Sequence, residues 1–311
     1  MVGLGNAGRD HVKALEAISD AEVVAGIDTD KSRTVTFREQ DRPVFVSAFD
    51  ARSNLGRQAN PDIFVVATPT SSHAAVCEDV SSHFPEAAIL VEKPAADNLD
   101  DALRILEGVG ATQRVVVAYH LAFSPEVEWA IGRAKEWARE LGAPVAIEAG
   151  HADPYQLELD SARARLGSSW IDSGINALSV IECFATLVGR DSLRRIGSPA
   201  HSVFEGRFTC ETSGSRLNAT VWTSWHATAP TRTTRIRYAS GAEIVMDHHA
   251  VVAYLLLKGE VREIFGSDGT TPRREAHYRA LYRSWLVGDD PVFSAQTSLR
   301  LHELLLESMP G

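Results

Sequence analysis

The chain has 311 residues, 44% hydrophobic and 23% charged, as in ordinary water-soluble globular proteins, and this is more chain than one core usually serves, so two domains are expected. Its formal net charge of −10 excludes the basic surface that nucleic-acid binding requires, and no apolar run approaches the length of a membrane span. Three cysteines, Cys77, Cys183 and Cys210, are too widely spaced for a metal or disulfide pattern, so no metal site is expected and a reducing cytoplasm is the expected setting.

The chain opens Met1-Val2-Gly3-Leu4-Gly5-Asn6-Ala7-Gly8, which is G-x-G-x-x-G, and a helix is expected over 9–19. A strand over 22–27 ends at Asp28, twenty residues past Gly8. Each position has a physical role. Gly3 permits the tight turn, Gly5 lets backbone approach a pyrophosphate, and Gly8 allows close helix–strand packing. The helix start, with Asn6 and Ala7, offers free amides and a positive dipole to phosphates. Asp28 can accept from a ribose 2′-hydroxyl, which favours NAD over NADP, although Lys31 and Arg33 stand just downstream. Only Met1 and Val2 precede Gly3, where a central strand of about five residues belongs, so the natural start is expected upstream.

A strand over 62–67 breaks at Thr68-Pro69-Thr70, and Ser71-Ser72-His73 opens a helix. Ala67, Thr68 and Pro69 thus border a bound dinucleotide, with His73 a candidate contact. The apolar run 87–91 reads as a buried parallel strand ending Glu92-Lys93-Pro94. Pro94 has no amide donor, so the ladder stops there and a charged pair is left at the strand's carboxyl end. Open α/β sheets bind ligands at that edge. A helix over 98–109 and a strand over 114–118 follow, and the strand delivers Tyr119 and His120 to the same edge. Repeated strand–helix–strand units mean a doubly wound parallel sheet.

The texture changes near Leu121, dividing a dinucleotide-binding domain, 1–120, from a substrate-binding and oligomerisation domain, 121–311. A long helix runs to about 141. Strands over 144–149, 202–211, 216–226, 231–240, 242–248, 251–257 and 260–265 follow, with hairpin turns at Ser240-Gly241 and Lys258-Gly259. These make an antiparallel sheet, closed by helices over 274–287 and 295–307. The segment 170–187 reads as a helix with one apolar face, Ile171, Ile175, Leu178, Ile181 and Ala185. Asp172, Asn176, Ser179 and Cys183 share another face, which composition alone would place in solvent. Few helices remain to cover the sheet, so a face carrying Val221, Trp222, Trp225, Ile236, Tyr238, Val251 and Tyr254 is expected to associate into a homodimer or homotetramer.

The residues Gly3 to Gly8, Asp28, Ala67-Thr68-Pro69 with His73, and Glu92-Lys93-Pro94, in this order and ahead of an antiparallel sheet, resemble the glucose–fructose oxidoreductase / inositol dehydrogenase (Gfo/Idh/MocA) family. The resemblance implies an α/β Rossmann domain followed by an α+β domain with an open antiparallel sheet, and NAD or NADP as cofactor. It implies that Lys93 lies beside the nicotinamide and touches the substrate oxygen, with Glu92 also at the cofactor edge. It further implies that Asp172 to Ser179 corresponds to the motif D-x-G-x-H-x-x-D. Asp172 and Gly174 fit, but Asn176 stands for the histidine and Ser179 for the second aspartate. Neutral asparagine orients a substrate but exchanges no proton at useful pH. Lys93, His120, Tyr119 and Asp172 are the candidates for that role, and Lys93, Tyr119, His120, Asp172 and Asn176 are the expected substrate contacts. The expected activity is hydride transfer to or from a sugar, polyol or sugar-derivative hydroxyl or carbonyl. The alternatives are an imine or non-sugar carbonyl reductase, or a cofactor-binding sensor without turnover.

Overall fold

A computed structural model describes residues 1–55, 60–210, 214–287 and 293–307. The chain forms two compact units, one of Met1–Tyr119 with Leu281–Leu306 and one containing His120–Ala280. The first unit thus takes in the chain's last helices, a return that a single cut near residue 120 does not describe.

The first unit alternates short parallel strands with helices. In chain order these are α1 (Asn6–Glu16), β1 (Gly26–Ile27), α2 (Val35–Glu39), β2 (Val44–Phe45), α3 (Ala48–Asn54), β3 (Ile63–Val66), α4 (His73–His83), β4 (Ala88–Glu92), α5 (Leu99–Leu103) and β5 (Val115–Ala118). Neighbouring ladders are parallel, β1 with β2 and β3–β4–β5 in order. The place between β1 and β3 is taken by the chain's first residues, with Val2 bridging both Ile27 and Val66. The Gly3 amide donates to Ile27 O and the Ala67 amide to Val2 O, each at 2.7–2.8 Å. So the glycine loop does leave a central sheet position, although only Val2 forms bridges there and the expected strand over 22–27 pairs only at Gly26–Ile27. Strands β4 and β5 are buried along nearly their whole length, as a sheet with helices on both faces requires.

The second unit is built on one eight-stranded sheet. Its elements are α6 (Pro125–Glu136), α7 (Ala138–Leu141), β6 (Pro144–Pro154), α8 (Leu159–Leu166), α9 (Ile175–Glu182), β7 (Leu187–Ser198), β8 (His201–Cys210), β9 (Arg216–Ser224), β10 (His226–Tyr238), β11 (Glu243–Asp247), β12 (Val252–Leu257) and β13 (Glu260–Gly266). Helix α10 (Arg273–Val287) begins in this unit, and α11 (Ala295–Glu307) follows. The strand order is β13-β12-β11-β10-β6-β9-β8-β7, antiparallel throughout except for the β6–β9 pair. Strand β7 and helix α8 have no counterpart among the elements expected from sequence.

Two sequence expectations are corrected here. Val221, Trp225, Ile236, Tyr238 and Val251, expected on an uncovered face, are at most 5% exposed and belong to the unit's own core. Strand alternation explains it: Val221 and Ile236 point inward, while Trp222 and Arg237 point out. Second, the middle of the polar stripe of 172–183 does not meet solvent, and only its ends, Asp172 and Cys183, are part-exposed. The segment starts as one wide turn, Trp170–Gly174, and α9 that follows is buried on every side, with Asn176 7% and Ser179 0% exposed. The wide turn lays Trp170 against Phe204, ring centroids 5.1 Å apart, and a Cβ at Gly174 would come 2.7 Å from the Trp170 ring.

Candidate active site

The glycine loop is shaped by contacts that only hydrogen permits. Gly3 has φ +84°, and a Cβ there would lie 2.6 Å from Ala67 O; a Cβ at Gly8 would lie 2.0 Å from Gly3 O. Gly5 caps α1 with no side chain answering its first amides, so these stay available to an anion. Asp28 is fixed by two backbone donors, Leu4 N–H to Oδ2 and Asp30 N–H to Oδ1, both 2.8 Å. Beside this loop lies a cavity of about 430 Å³ bordered by Gly3, Asp28, Arg33, Ala67, Thr68 and Pro69, with Thr29, Ser47, Ser72 and Asp79 completing its polar wall. A carboxylate at the end of β1, open helix amides and a cradle that a Cβ would fill are what an adenosine diphosphate needs. The residues therefore fit NAD, with Asp28 toward the ribose hydroxyls and Gly3, Gly5, Asn6, Ala7 and Gly8 toward the pyrophosphate. Arg33 comes within 3.8 Å of a Cβ placed on Gly5 while pairing with Asp30 at 3.2 Å, so one cation also reaches this loop.

Three residues expected at the ligand edge are held elsewhere. His73 is 1% exposed, and its ring nitrogens face Ala95 O at 3.1 Å and Thr68 O at 2.8 Å. It ties two strand-end loops together and does not reach the cavity. Tyr119 is fully buried, its ring against Phe293 and its hydroxyl 3.5 Å from His302 Nδ1. Glu92 is 7% exposed and turned into the unit.

Glu92 leads to what the sequence did not disclose. Its Oε1 accepts from His11 Nε2 at 2.8 Å, and the Tyr282 hydroxyl donates to His11 Nδ1 at 2.7 Å. Its Oε2 accepts the Lys93 amide at 3.1 Å. Burial, then the charge of Glu92, holds the Tyr282 hydroxyl well above its ordinary pKa, so it stays a donor. Lys93 is half-buried, the peptide bond to Pro94 is cis, and the next amide, Ala95, donates to His302 Nε2 at 2.9 Å. Burial drives the His302 pKa down to about 4, which keeps Nε2 an acceptor while Nδ1 donates to Ser298 O at 2.8 Å. The backbone on either side of Lys93 is thus pinned by side chains from α1, α10 and α11.

In the second unit, the expected residues His120, Asp172 and Asn176 belong with a buried polar patch on the covered face of the sheet. Ile147 and Ala149 make that face of β6 apolar, but the same alternation then presents His151 and Asp153. Asp153 pairs with Arg232 of β10 and accepts from Ser173 Oγ at 3.3 Å, next to Asp172. Burial first, then the charges of Asp172 and Asp153, raises the Tyr155 pKa, which brings that phenol to the same corner. Glu126 Oε1 accepts from Ser124 Oγ at 2.6 Å and His248 Nδ1 at 2.9 Å, and His277 Nε2 lies 3.7 Å away. Burial works against the charge of Glu126, but the His248 hydrogen bond and the two histidines outweigh it and lower its pKa. His120 stacks on His277 at 5.8 Å and packs on Tyr278 at 4.8 Å. Asn176 Oδ1 is buried with no hydrogen-bond partner. The period-two placement of His151, Asp153 and Tyr155 after an apolar stretch is the signal by which a sequence reading could have found this patch. Among the described residues no group of histidine, cysteine and carboxylate side chains could hold a metal ion.

Residues 1–120 match the model of an oxidoreductase family with an NAD-binding Rossmann fold, GFO_IDH_MocA. No curated protein matches the chain by sequence. Among solved structures, a UDP-N-acetylglucosamine 3-dehydrogenase from Acidithiobacillus ferrooxidans is 16% identical with TM-score 0.77, over 99% of this chain and 94% of that one. An oxidoreductase from Sinorhizobium meliloti is 16% identical with TM-score 0.81, over 99% and 96%. An oxidoreductase from Agrobacterium radiobacter in complex with NAD+, L-tartaric acid and magnesium is 15% identical with TM-score 0.77, over 99% and 94%. The first 120 residues therefore carry the NAD-binding Rossmann fold of the Gfo/Idh/MocA oxidoreductases, nearly the whole chain shares the fold of these solved structures, and the protein is a nicotinamide-dependent dehydrogenase or reductase.

Proposed function

We propose that the protein moves a hydride between NAD and a hydroxyl or carbonyl carbon of a sugar, polyol or sugar derivative. The observation that carries the substrate class is the polar patch of the second unit. On α9, which packs on β6, Asn176 Oδ1 is unpartnered at 7% exposure of its residue, and the polar side chains buried at the end of β6 would be costly to bury without a polyhydroxylated ligand to serve. The naming of one structural relative for a nucleotide sugar supports the same class. The nicotinamide supplies and accepts the hydride when bound. Lys93 donates to the substrate oxygen and carries its proton, held in place by Glu92 and His302 acting on the backbone to either side. His120 is the second proton candidate, and Asp172 and Asn176 orient the substrate.

Two further readings stay in the same frame. We assign the outer face of the second unit's sheet to self-association. Ile196, Val203 and Trp222 lie in register across β7, β8 and β9, as do Val245, Tyr254 and Ile264 across β11, β12 and β13, and Ile264 is 64% exposed. The buried thiol of Cys77 and the free thiol of Cys183 suit a reducing cytoplasm.

The test of activity is cofactor turnover against sugars, polyols, keto-sugars, imines and simple ketones. Turnover confined to imines or simple ketones would replace the sugar reading, and cofactor binding without turnover on any of them would make the protein a sensor.

A further inference from the structure

In the buried patch of the second unit, one cation is paired with none of the acids around it. Asp153 is taken by Arg232, whose side chain is only 16% exposed, and by Ser173. The ionised Glu126 is taken by Ser124 and His248, with His277 behind it. Arg273 remains. It is the first residue of α10, half-buried, and one helical turn before His277, so the two share a helix face. Among the described residues, no carboxylate lies within ion-pair distance of its guanidinium, and no hydrogen bond engages it. Burial first, then the neighbouring charges of Arg232 and Arg274, pushes its pKa down to about 10, with Asp153 and Glu126 acting the other way. Arg273 and Arg232 are thus close enough to repel each other's charge, and Arg232 with its partner Asp153 adjoins Tyr155 and, through Ser173, the Asp172 end of the D-x-G-x-N segment.

A partly desolvated arginine without a counter-ion is unfavourable unless a ligand supplies the anion. The planar fork of a guanidinium matches a carboxylate or a phosphate. From the unpartnered Arg273 beside the Arg232–Asp153 pair we infer a subsite for an anionic group, so that the substrate is an acidic sugar derivative carrying a carboxylate or a phosphate. This rests on the sugar-oxidoreductase reading above and narrows it. Arg273 is the specificity residue, and Asp153 holds Arg232 so that one guanidinium stays free for the ligand.

The experiment compares NAD-dependent turnover of matched neutral and acidic probes: glucose, glucuronate and glucose 6-phosphate, and the corresponding galactose series. The wild-type protein, Arg273→Gln and Arg273→Lys are assayed, with the thermal melt of each variant as a folding control. The expected result is a kcat/KM at least tenfold higher for one acidic series than for its neutral partner. Arg273→Gln should lower that value by about ten- to a hundredfold through KM, leave the neutral probe within about twofold, and be partly rescued in Arg273→Lys. A preference for glucuronate over glucose 6-phosphate, or the reverse, tells carboxylate from phosphate. Equal kcat/KM for neutral and acidic probes, or an equal loss on both in Arg273→Gln, would overturn the subsite. If no sugar is turned over although NADH binds, the oxidoreductase reading on sugars fails separately. Calorimetric binding of the same acids to the NADH complex then decides the subsite: binding that Arg273→Gln abolishes sustains it, and no binding to the wild type overturns it.

Discussion

The two buried polar networks of this molecule differ in one respect. Around Lys93, each interaction closes on itself: Tyr282 to His11, His11 to Glu92, Glu92 to the Lys93 amide, and His302 to the Ala95 amide. In the second unit, Asn176 Oδ1 is orphaned and Arg273 has no counter-ion, although the patch around them is comparably buried. A closed network fixes geometry and needs nothing further. An open one is unfavourable until something binds. The contrast fits the function proposed above, in which the first holds Lys93 in place and the second receives the substrate.

The hardest blow to the closed network is His11→Ala. It takes one hydrogen bond from the Glu92 carboxylate and the acceptor from the Tyr282 hydroxyl, and a buried polar group left unanswered typically costs about 1–3 kcal/mol, more for a charged one. Urea denaturation should show a loss of that size, whereas a loss below about 1 kcal/mol would mean that water replaces the imidazole freely.

Acid is the next lever on it. The folded-state pKa of His302 is about 4, below the ordinary value of 6.5, so on acidification the unfolded chain binds this proton first. Stability is whole above pH 6.5, falls as pH drops from 6.5 toward 4, and levels off below that, a change of about 3 kcal/mol at 1.36 kcal/mol per pKa unit. His302→Gln retains an acceptor for the Ala95 amide but does not titrate. Its stability should fall less steeply through this window, by one proton, and an unchanged slope would show that His302 is already protonated in the folded chain.

Lys93→Met tests what the closed network is for. Turnover should drop by about a hundredfold or more, the usual scale for a proton-transfer group, while NADH affinity, held by glycine-loop amides, should hardly move. Normal turnover would pass the role to His120.

The smallest expected effect sharpens the open side. Asn176→Ala removes an oxygen that has no partner in the protein, so stability should be unchanged or rise slightly. Substrate binding should weaken by roughly 0.5–1.5 kcal/mol, seen as a higher KM. Asn176→His should retain activity on sugar alcohols. If it abolishes activity where Asn176→Ala does not, the pocket is built around asparagine and the imine or non-sugar reading moves forward.

The cofactor side was legible because its chemistry is local. Gly3 to Gly8, Asp28, Thr68-Pro69 and Glu92-Lys93-Pro94 are short runs whose spacing carries meaning, and Gly3, Asp28, Ala67, Thr68 and Pro69 do meet around one cavity. His11, Tyr282 and His302 were not legible, since nothing in 6–16, 273–287 or 295–307 marks one histidine or tyrosine as facing a strand end 81 to 207 positions away in sequence. The inward turn of Glu92 and His73 was illegible for the complementary reason: motif membership says that a residue matters, not which way it points. The polar stripe of α9 was placed in solvent because composition cannot see that the wide turn at Trp170–Gly174 and the sheet bury all sides of the helix. Strand β7, sequence LVGRDSLRRIGS, has too little alternation to announce itself and is a strand because β8 pairs with it.

The return of Leu281–Leu306 to the first unit has a consequence for how this protein comes into being. A ribosome releases the glycine loop and the Glu-Lys-Pro strand early, at about 5–20 residues per second. Tyr282 and His302 emerge only after the whole His120–Ala280 segment. Until then His11 lacks the Tyr282 hydroxyl and the Ala95 amide its imidazole, so the nucleotide-binding unit remains unfinished while the His120–Ala280 segment inserted within it has already emerged. Maturation of the segment around Lys93 is in this way timed by α10 and α11, and a nascent or truncated chain ending near residue 120 would carry the whole fingerprint yet lack the clamps that set Lys93.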